Sequence, residues 1–403
     1  MSEFVAVKGG VTAPKGFTAA GVHTGLKAAN LDLALIFSTE PAAIAGMFTS
    51  NKIQGAHVKL CKERLAAKKA RVIVVNSGNA NACTGPQGLA DARRMALITA
   101  EHLDIDEQNV FVCSTGVIGV PLPMDKIEAG IESAVQALSE DGGDSAAKAI
   151  MTTDTADKQV ALEFKVDGVP VRVGSMAKGS GMIEPNMATM LAFLTTDAAV
   201  DPESLQNCLS SAVAESFNRI TVDGEQSCND TVLLLANGVA GNSMLDERHP
   251  EWSIFAGAVN ETAKQLAMKI VQDGEGATKF VTVRVNGAAS YKDARKAARA
   301  VANSLLVKTS WYGRDPNWGR VIDAVGYSGA EVNEELVDIS YDNVCAVRKG
   351  RAAREMSIKD LEKILAKKSF SVNIELNMGN GTDTVYTCDC TEEYVKINSE
   401  YMT

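Results

Sequence analysis

At 403 residues, with 46% hydrophobic and 22% charged side chains, the chain has length for roughly two to three domains. That composition excludes a disordered tract, a collagen-like fibre and a disulfide-stapled miniprotein. With 40 Lys and Arg against 50 Asp and Glu the net charge is −10, a poor match to a phosphate backbone, so no nucleic-acid partner is expected.

In chain order, Met1 to Lys8 lacks the basic-then-apolar pattern of a secretory signal, and no later stretch is apolar for the ~18 residues of a membrane span. The expectation is a cytoplasmic protein without a membrane partner, its eight scattered cysteines reduced. Lys62-Glu63-Arg64 and Lys68-Lys69-Ala70-Arg71 form a basic run that reads as a solvated helix face ahead of a strand. Residues 71–78 are that strand, running into a turn, and residues 88–103 carry Leu89, Ala92, Met95, Ala96 and Ile98 at near-helical spacing. Residues 110–114 read as a strand that ends at Thr115 and Gly116.

Residues 160–166 and 169–174 are strands joined by Asp167-Gly168, the strongest short-range hairpin signal. Residues 231–238, 280–286 and 369–376 are further strand candidates, and alternation of apolar and polar residues in several of these segments predicts one-sided sheets with antiparallel pairing. Helices are predicted over 203–217, 260–272 and 292–306; the second puts Ala263, Leu266, Ala267 and Ile270 on one face and stops at Gly274. Cys388-Asp389-Cys390 offers two soft ligands, yet its alternation reads more simply as a strand with both thiols on one face. The fold class is α/β, and no repeat or linker marks a boundary.

The chain has no P-loop, no glycine-rich dinucleotide turn and no zinc-protease, nucleophile-elbow or kinase signature. Its four histidines, at 23, 57, 102 and 249, stand without acidic or cysteine partners at ligand spacing, so neither a metal nor a cofactor is expected. The densest unusual segment is 177–197, which begins as a glycine-rich loop with Lys178 and ends as a strand whose apolar stretch 187–194 encloses one hydroxyl, Thr189. By pattern alone Thr189 is a strand residue packing its methyl group, Thr115-Gly116 a strand-ending turn, Lys178 a solvated loop lysine and Glu275 a helix-ending turn residue.

The segment 178–197 resembles the self-cleavage region of the ornithine acetyltransferases, also called the glutamate N-acetyltransferases of arginine biosynthesis. Further blocks in the same order extend that resemblance over nearly the whole chain: Gly16-Phe17 and Gly21, 75–82, 114–119, 151–155, 273–276, 314–320 and 398–403. The resemblance implies an α+β layered sandwich of the self-processing N-terminal-nucleophile type, shared with self-cleaving aminopeptidases. It implies a cut between Ala188 and Thr189, giving an α chain 1–188 and a β chain 189–403, intertwined and paired into a heterotetramer of two of each.

Thr189 is then the N-terminal nucleophile. Its freed α-amino group, with a pKa near ~7.7–8.0, can serve as the general base for its own hydroxyl, which removes the need for a histidine. Thr115 and Gly116 are implied as the oxyanion hole, and Thr152, Lys178, Thr189, Glu275, Asn398 and Thr403 as contacts to the substrates, N-acetylornithine and glutamate. The chemistry of these residues suits an amino acid, with Lys178 toward the α-carboxylate and Glu275 toward a cationic or amide group. Acetyl-CoA as a further donor stays an open alternative. So does an amidohydrolase or aminopeptidase on the same fold, in which water takes the acyl group. The blocks 218–225 and 314–320 are read as structural.

Overall fold

The computed structural model describes residues 4–184 and 190–400, which divide into two compact units. The first holds the chain up to residue 218 together with 225–270, and the second holds 219–224 and the chain from 271 onward.

The first unit is built on a nine-stranded sheet: β1 Val5–Ala6, β2 Phe17–Val22, β3 Leu33–Phe48, β4 Lys69–Asn79, β5 Val110–Val117, β6 Lys158–Val166, β7 Val169–Lys178, β8 Leu191–Thr196 and β9 Thr231–Ala236. Their order is β1-β6-β7-β8-β9-β3-β4-β5, with β2 also paired to β3. The run Val72-Ile73-Val74-Val75 in β4 is fully buried because both faces of the sheet are covered. Val72 and Val74 pack with Val110 and Val112 among the helices Gly85–Leu103 and Met124–Gln136. Ile73 and Val75 point into a second core that takes in Ala146 and Ala147 of helix Gly143–Ala149.

The second unit carries a six-stranded sheet: β10 Phe280–Ala288, β11 Asp338–Tyr341, β12 Val344–Arg348, β13 Arg351–Ala352, β14 Ser369–Glu375 and β15 Gly381–Cys388, in the order β13-β12-β11-β14-β10-β15. Here alternation is clean. Val281, Val283 and Val285 of β10 and Phe370, Val372 and Ile374 of β14 face a core shared with helix Tyr291–Asn303, whose Ala294, Ala297, Ala298 and Val301 form one stripe.

The mixed α/β class is as expected, and the hairpin pairs Val166 with Val169 across Asp167 (φ 51°) and Gly168 (φ 76°), the left-handed pair a tight two-residue turn needs. Antiparallel pairing is only part of the picture. β4·β5, β8·β9 and β10·β14 are parallel, and helices Gly85–Leu103 and Pro202–Glu215 supply the crossovers for the first two. The helix expected over 292–306 breaks at Ser304, whose hydroxyl caps a new helix, Leu305–Tyr312, by accepting from Val307 N at 3.3 Å. The basic run is not wholly solvated: Arg64, only 4% exposed, reaches the Val110 carbonyl at 2.5 Å and lies 3.6 Å from Glu107.

Of the block 218–225, residues 219–224 belong to the second unit, where Thr221 donates to Asn303 Oδ1 at 2.7 Å and Arg219 lies 3.5 Å from Asp383. In the block 314–320, Asn317 caps helix Trp318–Gly326, and Arg320 bonds the Leu306 carbonyl at 2.7 Å rather than a carboxylate. Among the described residues no helix is long and apolar enough to cross a membrane.

Candidate active site

Strands β4 and β5 run parallel and lose register at their ends, where Gly78 pairs with Gly116 and Asn79 with both Thr115 and Val117. Gly78 has φ 98° and Gly116 φ 129°, a region that L side chains rarely adopt. A Cβ on Gly116 would collide with the backbone of Gly78 and come within 2.5 Å of Asn79 N, so the turn closes only with glycine there. Thr115, partly exposed, and Gly116 therefore sit near the end of a rigid strand pair.

A buried amide network holds that end. Ser114 Oγ donates to Asn76 Oδ1 at 2.7 Å, and Asn76 Nδ2 donates to the Asn79 carbonyl at 2.8 Å. Asn79 Nδ2 reaches the carbonyls of Val120 and Pro121 at 3.0 and 3.1 Å. Asn229, just before β9, donates to the carbonyls of Ala80 at 2.6 Å and Ser114 at 2.8 Å. The bonds of Ser114, Asn76 and Asn229 are buried, where a lost partner is expensive, so the backbone on either side of Thr115 has little freedom.

Lys178 is not a loop residue. It is the last residue of β7, 8% exposed, and stands in register with Leu191, the first residue of β8. Beside it lies Asp154, whose carboxylate accepts from Thr152 N at 3.0 Å, Gly179 N at 2.7 Å and Lys158 Nζ at 2.7 Å. Burial pushes the Asp154 carboxyl up, but Lys178, Lys158 and the Gly179 N–H together outweigh it and bring the carboxyl down to about 2. The aspartate thereby ties Thr152 and Lys178, two expected substrate contacts from distant parts of the chain, to one anchor.

A second buried carboxyl, Asp230, is 1% exposed and is pushed well above its ordinary value by burial, against the opposing pull of the Met190 N–H and of Lys178. His57 is also buried and faces the Asn229 carbonyl at 3.0 Å, and burial lowers it to about 4, which leaves it a neutral structural imidazole. Among the described residues no group of three or more His, Cys, Asp and Glu side chains is placed to hold a metal ion.

In the second unit Glu275 lies in the turn after helix Trp252–Gln272, 8% exposed, and its Oε2 accepts from Asn398 Nδ2 at 2.6 Å. Asn398 belongs to the helix Glu392–Glu400. Thr115, Gly116, Thr152 and Lys178 lie in the first unit, where Asp154 links the last two, and Glu275 is bonded to Asn398 in the second. Ala188, Thr189 and Thr403 lie outside the described residues.

Pattern reading passed over Asp154, Asn76 and Asn79 as members of blocks and missed Asn229. A run of Asn in 76–81 at the end of a buried strand was the available signal, since buried amides that close a sheet end must bond across it.

The ArgJ family matches residues 18–403. An "Arginine biosynthesis bifunctional protein ArgJ" from Geobacter sulfurreducens is 50% identical, covering 96% of this chain and 99% of that protein. The protein of that name from Symbiobacterium thermophilum is 49% identical, covering 98% and 99%. Among solved structures, an ornithine acetyltransferase complexed with ornithine from Mycobacterium tuberculosis is 46% identical with a TM-score of 0.44, covering 46% of this chain and 100% of the solved one.

Proposed function

The chain belongs to the ArgJ family and is an acetyltransferase of arginine biosynthesis; from that premise we propose that it moves acetyl from N-acetylornithine to glutamate through an acyl-enzyme on Thr189. The Thr189 hydroxyl attacks the acetyl carbonyl, and its proton passes to the freed α-amino group of the same residue. The tetrahedral oxyanion is received by Thr115 and the Gly116 N–H. As the C–N bond breaks, the proton goes to the departing amine of ornithine. Glutamate then attacks the ester with its amine, the steps run in reverse, and N-acetylglutamate leaves. Thr152, Lys178, Glu275, Asn398 and Thr403 hold the two amino acids in turn.

The observation that carries this reading is a register. Leu191, two residues beyond Thr189, pairs with Lys178 on one side and with Thr231 on the other. Asn229, two residues before Thr231, holds the Ser114 carbonyl next to Thr115. The expected nucleophile is thus two residues along the chain from a position flanked by the carboxylate-binding lysine and by the support of the oxyanion turn.

A cut at 188/189 also fits the strand order, in which β8 and β9 lie between β7 and β3. Fragments 1–188 and 189–403 would share one sheet, as an intertwined catalytic unit demands, and two of each make the proposed heterotetramer. The relatives' name, bifunctional, favours acetyl-CoA as a second donor to the same hydroxyl.

Denaturing mass spectrometry tests the proposal. Active protein should give two fragments, one ending at Ala188 and one starting at Thr189, and the latter should gain an acetyl group with N-acetylornithine alone and lose it when glutamate is added. Thr189→Ala should remain one chain. Active protein of full-length mass, or turnover with no acetyl on the second fragment, overturns the proposal.

A further inference from the structure

Between β2 and β3 the chain wraps around one buried side chain. Asp32 is fully buried, and its carboxylate accepts four successive backbone N–H groups: Thr24 at 2.6 Å, Gly25 at 3.1 Å, Leu26 at 2.9 Å and Lys27 at 3.0 Å. Such a nest fixes the loop, and with it the point from which the Lys27 side chain departs.

That side chain runs across the strand end already described. A Cβ on Gly78 would meet Lys27 Cγ at 3.1 Å, so the lysine stem covers the glycine that pairs with Gly116. Its ammonium then donates to the Met151 carbonyl at 2.8 Å, one residue before Thr152. Lys178 is close enough to repel it, and Asp32 and Asp154 attract it. Among the described residues the Met151 carbonyl is the hydrogen-bond partner of this nitrogen, and an ammonium has three N–H groups to give.

A half-buried ammonium beside a second lysine is unfavourable. Burial first, with Lys178 adding to it, lowers Lys27 to about 8 despite the two aspartates. An arriving anion removes that penalty.

We propose that Lys27 is a substrate-binding residue, a second cation that holds the α-carboxylate of the amino-acid substrates together with Lys178. The inference rests on the proposed function for the identity of the substrates. The position of the ammonium, at the Met151 carbonyl and near Lys178 rather than over the Gly116 turn, favours a carboxylate over the reacting acetyl oxygen. Both substrates carry that group, so one clamp serves both halves of the reaction.

The test is equilibrium binding of ornithine and of 1,4-diaminobutane, which is ornithine without its carboxylate, to the purified protein and to Lys27→Met and Lys27→Arg. Lys27→Met should weaken ornithine roughly ten- to a hundredfold, the range of one lost charge-assisted bond, and leave the diamine unchanged. Between pH 7 and 9 ornithine binding to the parent should weaken relative to Lys27→Arg, whose guanidinium keeps its charge. In turnover, Lys27→Met should raise KM for donor and acceptor alike with kcat little changed.

Equal loss of diamine and ornithine, unchanged ornithine binding, or a fall in kcat at constant KM overturns the inference. Fragment masses of the same samples separate the two failures. Uncut active protein removes Thr189 from the mechanism whatever Lys27 does, whereas cut, acetylated protein that binds ornithine without Lys27 removes only the clamp. Self-cleavage in both variants serves as the folding control.

Discussion

Asp154→Asn should destabilise the first unit by several kcal/mol, and the cost follows from the partners of the carboxylate. Its Oδ1 takes Lys158 Nζ and Gly179 N, both at 2.7 Å, and its Oδ2 takes Thr152 N at 3.0 Å. An Asn keeps one acceptor but turns an NH₂ toward a backbone N–H that also donates. The Lys158 side chain, 2% exposed, meanwhile loses the carboxylate across from it. The fall of the Asp154 carboxyl from 3.8 to about 2 corresponds to about 2 kcal/mol of native-state stabilisation. Removing one partner of a buried pair brings the total cost to about 3–5 kcal/mol.

The sign follows from the depressed value. The contribution is complete above the unfolded value of 3.8 and is lost as pH falls through about 2. Urea unfolding of the parent, Asp154→Asn, Lys158→Met and the double variant, repeated across the acid range, is the assay. The gap between Asp154→Asn and the parent should hold steady at neutral pH and narrow below 3.8. The double variant should be less destabilised than the sum of the single ones. A cost within about 0.5 kcal/mol, as for an ordinary surface change, or a gap indifferent to acid, would refute the reasoning.

Two further predictions address the chemistry. Thr115→Ala should lower kcat by roughly 10²–10³-fold at unchanged KM in steady-state assays, the size of one lost oxyanion donor, and should slow the self-cut, which also forms an oxyanion; a rise in KM alone makes Thr115 a binding contact instead. Deleting residues 398–403 removes Asn398 from its bond to Glu275 and should lower transfer to glutamate relative to hydrolysis by roughly tenfold or more while leaving the self-cut in place; unchanged rates of both would take the chain end out of the mechanism.

Local order was legible wherever one period governed a segment. The strand at 71–78, the Asp167-Gly168 hairpin and the alternating strands β10 and β14 emerge close to their expected bounds, because strand burial repeats every two residues and a tight turn demands left-handed dihedrals. β3 escaped because it serves three partners, β2, β4 and β9. It pairs with β4 in register through 33–37, shifts before Ala42, and exposes Thr39, Glu40 and Pro41 between two buried runs, so no single period describes it.

The sequence by itself determined the α/β class, the family and the residue types that acyl transfer needs, all of which follow from local pattern and from motifs in fixed order. Only the tertiary structure decided that Lys178 ends a buried strand, that Asp154 joins Thr152 to Gly179, and that Lys27 lies over Gly78. The meetings of Asp154 with Gly179 and of Lys27 with Gly78 join residues 25 and 51 positions apart with no shared period. They are set by strand order and register, which depend on burying both faces of one sheet at once.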